Sequence, residues 1–203
     1  MNATSTKSSH DIEAILDSLY QDVCSASKDL FCLKQLDQWP YETSSSTRAY
    51  DNIFFYFNSL CLHHLIITLS RLIDKNSKTA SLPRLFRLIH RQSCFAVSYL
   101  QELTEDEKAF SPQENSIAKR ILKLRNNLFA HHKFPLNVSQ FMSTYDVSLK
   151  EMSEFLRQIK EFLDKYSKLV VLGGRTDISG PPAVLQDDFM MLLEKIRAEQ
   201  IKD

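Results

Sequence analysis

Apolar residues recur through most of this chain at intervals of three, four and seven, with polar stretches between the runs, and that pattern predicts an all-α protein. Ile12, Leu16, Leu19, Val23, Leu30 and Leu33 mark a first amphipathic helix that follows a loose polar stretch at 1–10 and closes at Trp39 and Pro40. A second helix, from about Thr47 to Asp74, is apolar on more than one face, with Ile53, Phe54, Phe55, Phe57, Leu60, Leu62, Leu65, Ile66, Ile67, Leu69 and Leu72. Such a helix calls for cover on several sides, by other helices or by a second subunit. Polar DKNSKTAS separates it from a third helix opened by Ser81 and Pro83, whose buried side is Leu82, Leu85, Phe86, Leu88 and Ile89; the acidic stretch Glu102–Glu107 is expected to end it. Ser111-Pro112-Gln113-Glu114 has the form of a capping box and predicts the start of a helix running to about Ala130, because Pro135 forbids a regular continuation. Ser148-Leu149-Lys150-Glu151 repeats that form ahead of Leu149, Met152, Phe155, Leu156, Ile159, Phe162, Leu163 and Tyr166, a long amphipathic helix stopped by Gly173-Gly174. The expected organisation is a flexible N-terminus (1–10), one helical body (11–172), a flexible loop (173–182) and a C-terminal helix packing on the body (183–203), about five to six helices in all.

Composition narrows the picture. With 203 residues, 43% of them hydrophobic, the chain can bury one core without a second domain. Only 3 Gly and 6 Pro argue against a sandwich or barrel. MNATSTKSS lacks the apolar centre of a signal peptide, and no fully apolar run approaches the roughly 20 residues of a membrane span, so a cytoplasmic protein without membrane contact is expected. Cys24, Cys32, Cys61 and Cys94 are far apart and read as reduced thiols. His63 and His64 lie on the crowded apolar helix and read as hydrogen-bonded core or interface residues, not metal ligands.

Charge is more telling in its placement than in its sum. The formal net charge is zero, yet from Asn115 to Tyr145 there is no Asp or Glu, while Lys119, Arg120, Lys123, Arg125 and Lys133 are basic and His131 and His132 stand among them. Local positive potential of this kind favours phosphate, and histidine is the side chain suited to move protons near neutral pH. Arg84, Arg87 and Arg91 form a second basic stripe, either a solvated face or an RNA-backbone contact. On a regular helix Ile117, Ile121, Leu124 and Leu128 share one edge that continues to His131, and Leu122, Arg125, Phe129 and His132 share the next. Arg125 and His131 are then about 120° out of alignment, whereas Arg125 and His132 nearly eclipse. For His131 to work with Arg125, the helix must unwind at its end or the arginine must come from another subunit. A histidine at a helix end also serves simply as a cap or core residue.

Arg125-Asn126-Asn127-Leu128-Phe129-Ala130-His131 resembles the signature of the HEPN superfamily: an arginine, often a polar residue next, then a histidine after a gap of four to six. The preceding LSRLIDKNSKTASLPRLFRLI is similar to the region ahead of the motif in the abortive-infection U-type (AbiU-like) branch, so the resemblance covers roughly Tyr50 to Leu163. The doubled histidine departs from the simplest form and leaves His132 as a competing candidate. The resemblance implies an up-and-down helical bundle, often a homodimer that joins two copies of the motif, and in many members RNA cleavage without metal or cofactor. In that chemistry His131 is the general base or acid, Arg125 stabilises transition-state charge, Asn126 orients the phosphate or the histidine, and Lys119, Arg120, Lys123 and Lys133 hold the RNA backbone. It also suggests a toxin or phage-defence effector with an antitoxin or other protein partner. The alternatives are a non-catalytic HEPN-like module that binds nucleic acid, nucleotide or protein, and a purely structural adaptor.

Overall fold

A computed structural model describes residues 3–37, 48–76, 78–91, 97–131, 138–170 and 190–195. These residues form seven helices, α1 (Ala3–Asp37), α2 (Arg48–Leu72), α3 (Leu82–His90), α4 (Val97–Phe110), α5 (Ser116–His131), α6 (Val138–Thr144) and α7 (Leu149–Val170), with a short helical segment at 190–195. The all-α expectation holds, with more helices than the five to six expected. No strand is present among the described residues.

α1 is the spine. Ile12, Leu16, Leu19, Val23, Leu30 and Leu33 are all buried, as their spacing predicts. The helix begins at Ala3, inside the stretch expected to be loose, and residues 1–10 hold no Gly or Pro that would stop it. Asp22 accepts hydrogen bonds from Arg71 of α2, and seven residues on, Asp29 pairs with His64, seven residues back along α2 (Nδ1 to Oδ2, 2.6 Å). That reversed step is the mark of antiparallel packing. α7 is antiparallel in the same sense: the Tyr20 hydroxyl donates to Asp164 (2.9 Å), and Lys34, fourteen residues further along α1, donates to Ser153 (3.0 Å). α2 also packs on α5 and α6, and α3 on α1 and α4.

By length and composition the stretch Asp51–Leu72 would pass for a membrane span, with a mean hydropathy of 1.4, against the expectation that no run is long and apolar enough. In the bundle it is a core helix on one side: Leu62, Leu65, Ile66, Leu69 and Leu72 are buried, while Ile53, Leu60 and Ile67 are exposed. His63 is half-buried against the Ser59 carbonyl (2.9 Å), and His64 is exposed beside Asp29, so neither is a core residue. Cys32 and Cys61 are buried where α1 and α2 meet and hydrogen-bond to each other; that bond, reinforced by burial, pushes the Cys61 thiol far above its ordinary value. Cys24 is a half-buried free thiol, and Cys94 lies outside the described residues.

Three boundaries differ from expectation. The acidic stretch does not end the third helix: α3 stops at His90, and Glu102–Glu107 runs through the middle of a separate helix, α4. Its acids meet α7, where Lys165 pairs with Glu102 (2.6 Å) and Asp106 (2.7 Å) and the Tyr166 hydroxyl donates to Asp106 (2.8 Å), while Leu103 and Phe110 are buried. Ser111–Glu114 forms a turn, and Asn115 is the residue that caps α5, its Oδ1 accepting from the Ile117 and Ala118 amides (3.0 Å each). α6 was not expected; it buries Phe141 and Met142 and ends at Thr144, and in the turn that follows the φ of 51° at Asp146 lets the Val147 amide return to the Met142 carbonyl (3.2 Å). Gly173-Gly174 and the connection at 173–182 lie outside the described residues. So does most of the last helix, but Leu193 is buried against Leu36 and Phe54.

The second capping box forms as read. The Ser148 amide donates to Glu151 (2.9 Å) and the Glu151 amide donates to the Ser148 hydroxyl (3.1 Å). Glu151 also accepts from Arg120 (2.6 Å), and this guanidinium holds its carboxyl below the usual range against a small burial penalty, with the Ser148 donors assisting. A carboxylate with a depressed folded pKa stabilises above its unfolded value and loses that contribution as pH falls through the folded one. Glu151→Gln keeps the cap geometry and removes the charge. It should lower stability at pH 7 by up to about 1 kcal/mol, the scale of an exposed ion pair, and urea melts should find the gap narrowing as pH falls below the ordinary glutamate range; a gap that does not change with pH would refute the assignment.

Candidate nucleic-acid site on the fifth helix

α5 is a helix because its apolar residues keep one edge. Ala118, Ile121, Leu124 and Leu128 are buried and Ile117 is half-buried, so that edge lies in the core and fixes which residues face outward. Lys119, Lys123 and Asn126 are exposed, and Arg125 is half-buried at the border between the two faces.

Arg125 is not paired with an acid in the described structure. Its Nε and Nη2 donate to Asn126 Oδ1 at 3.3 and 3.2 Å. A neutral amide therefore steadies the guanidinium without cancelling its charge, which a carboxylate there would do. The contact assigned to Asn126 by geometry is thus to the arginine. Asn127 donates back to the Lys123 carbonyl (2.8 Å).

Arg120, grouped with the RNA-holding residues in the sequence, is committed elsewhere. Its guanidinium joins Glu151 (2.6 Å) and the Asp146 carbonyl, with the Asp146 carboxylate 3.7 Å away, and so ties α5 to the turn and helix that follow. Those acids lie just past the acid-free stretch, and their return to α5 could not be read from the spacing. Among the other basic candidates, Arg84 is half-buried and donates to the Lys78 carbonyl (3.3 Å), while Arg87 and Arg91 are exposed. Arg87 lines a pocket of about 220 Å³ with Lys75, Phe86, Glu107 and Phe110.

A larger groove of about 900 Å³ runs between α1 and α7 past Lys34, Lys150, Arg157 and Lys160. Its cations are largely matched: Arg157 is bracketed by Glu154 and Glu161, and Lys160 by Asp164. Lys119 and Lys123 are exposed and have no acid beside them on α5 itself.

α5 remains helical through His131, its last residue; His132 and Lys133 lie outside the described residues. An unbroken helix sets the Arg125 and His131 backbone positions about 120° apart around the axis and about 9 Å apart along it. Of the two routes by which they could cooperate, unwinding before His131 is not the one seen.

The HEPN_AbiU2 family model, described as AbiU2, matches residues 10–187, which takes in every helix from α2 to α7 and most of α1. No curated protein and no solved structure matches the chain. A match of that extent, with Arg125 and His131 inside it on one helix, places the motif in its family context: the chain belongs to the AbiU2 family of HEPN proteins.

Proposed function

We propose that this protein is a metal-independent endoribonuclease, acting in the cytoplasm as a toxin or phage-defence effector under the control of an antitoxin or similar partner. The observation that carries the reading is Arg125: a guanidinium held by a neutral amide, on a helix surface with no acid of its own, six residues from a histidine on an unbroken helix. Such a group is suited to phosphate.

The chemistry is transesterification within the RNA. A base removes the proton of a ribose 2′-hydroxyl, whose oxygen attacks the adjacent phosphorus; the bond from phosphorus to the 5′-oxygen breaks, and an acid protonates that oxygen. The products are a 2′,3′-cyclic phosphate and a 5′-hydroxyl. His131 supplies one of the proton transfers and Arg125 offsets the charge gathering on the phosphorane oxygens. Because one chain sets Arg125 and His131 on different sides of α5, the complete site draws on two copies of the protein, which also provides a second histidine for the other transfer. Lys119 and Lys123 lie along the approach of the RNA backbone.

In EDTA, the purified protein should cut mixed RNA to fragments with 2′,3′-cyclic phosphate ends. Arg125→Ala and His131→Ala should each lose at least about a hundredfold in rate, the scale of general acid–base and charge stabilisation, while His132→Ala keeps its activity. Asn126→Ala should lose about tenfold, the worth of one hydrogen bond to a charged group. Binding without cleavage by folded, dimeric protein would favour the non-catalytic module, and equal cutting by all variants would remove the site.

A further inference from the structure

α1 and α2 keep one register along their shared length. Asp22 meets Arg71, and Asp29, seven residues further along α1, meets His64, seven residues back along α2. Three residues further in the same two directions stand Cys32 and Cys61. A step of three is close to one helical turn, so the cysteines lie on the edges that carry Asp29 and His64 and come level with each other. Their side chains meet there, the Cys61 thiol donating a hydrogen bond to the Cys32 sulfur. The same register sets Leu69 level with Cys24, so among the described thiols the apposition of two sulfurs belongs to Cys32 and Cys61.

Both cysteines are buried, but not sealed. Cys32 and Cys61 keep 8% and 5% of their surface, whereas Leu62 and Leu65 on α2 keep none. One turn away His64 is exposed beside Asp29. The sulfurs thus sit a single helical turn beneath solvent, shielded from bulky reagents and open to a molecule little larger than water. We propose that Cys32 and Cys61 form a redox-modification site, a dithiol that a small peroxide oxidises to an intramolecular disulfide between α1 and α2.

The Cys32 sulfur, giving up its proton, attacks one oxygen of hydrogen peroxide. The O–O bond breaks, the sulfur becomes a sulfenic acid, and the departing hydroxide takes that proton to leave as water. The Cys61 sulfur then attacks the Cys32 sulfur; the S–O bond breaks, and the second hydroxide leaves with the Cys61 proton as water. Two thiols are oxidised to one disulfide and one peroxide is reduced to two waters. Cys32 attacks first because the hydrogen bond from Cys61 holds its thiol below the ordinary value, against burial and the Asp29 charge, while Cys61 is pushed far above. In a reducing compartment the pair rests as thiols, and oxidation fastens α1 to α2. The site is independent of the proposed ribonuclease, and its test uses no RNA.

The folded, unsubstituted chain is treated with stoichiometric hydrogen peroxide and digested without reductant. The peptide joining Cys32 to Cys61 should appear in at least about tenfold excess over every other cysteine pairing, because sulfurs already in contact need no search. It should vanish with dithiothreitol. The same treatment in urea should give mixed pairings that include Cys24 and Cys94. In Cys61→Ala, shown to be folded by its melting profile, Cys32 should stop at a sulfenic acid that dimedone captures, while Cys32→Ala leaves Cys61 at least about tenfold less labelled. A folded chain that gives the same mixture as the unfolded one overturns the inference. So does a folded chain whose Cys24 is oxidised while Cys32 and Cys61 remain thiols, and stronger dimedone labelling of Cys61 than of Cys32 overturns the order of attack.

Discussion

The bundle depends on one turn of α1. There the Tyr20 hydroxyl reaches Asp164 and Ser167 of α7, while Asp22 receives the Arg71 guanidinium of α2. Apolar helices slide past one another at modest cost, because one aliphatic contact replaces another; hydrogen-bonded pairs cannot. Burial raises the Asp22 carboxyl above its ordinary value even with Arg71 beside it, so this contact stabilises less than its geometry suggests. Its effect is on register. It sets α2 and α7 at fixed heights along α1, and α5 is then held between them by its core edge and by Arg120.

The consequences reach the site in order. Glu151 belongs to the capping box that starts α7, and the same carboxylate binds Arg120. Starting α7 at the right residue and seating α5 against it are therefore one event. Arg125 lies between that anchor and the end of the helix, where the Asn126 amide holds its guanidinium. The surface of α5 is basic because the helix carries no acid of its own, and the acids that return to it at Asp146 and Glu151 are met by Arg120.

Much of this could be read from the chain. α1 and α7 are long and periodic, so every residue periodicity named on α1 is buried and all but Leu149 on α7, although Ile15, Tyr20, Ala26, Cys32 and Leu36 of α1 are buried as well and were not named. The Arg125 to His131 motif is short and its residue types are common; it was legible through the stretch ahead of it and the helical pattern around it. What escaped were features decided by contact between distant segments. Glu102 and Asp106 look like a helix end until Lys165 and Tyr166 are seen opposite them. Ser111 and Asn115 are both good caps, and the sequence does not say that the Ser111 carbonyl is used for the turn, accepting from the Glu114 and Asn115 amides. α6 is too short for a period to show. The apolarity of α2 was legible only as a surplus; which of its residues are buried followed from where α1 and α5 came to lie.

The pairing of α1 with α7 joins residues 144 positions apart. Closing such a distant contact is slow compared with forming any single helix, because the intervening chain must first be gathered in. A ribosome emits α5 before α7, so the motif helix exists as peptide while the helix that holds its first turn is still unmade. Any chain truncated before Glu151 carries the motif helix with Arg120 lacking that anchor. The order of the helices is thus itself a form of timing.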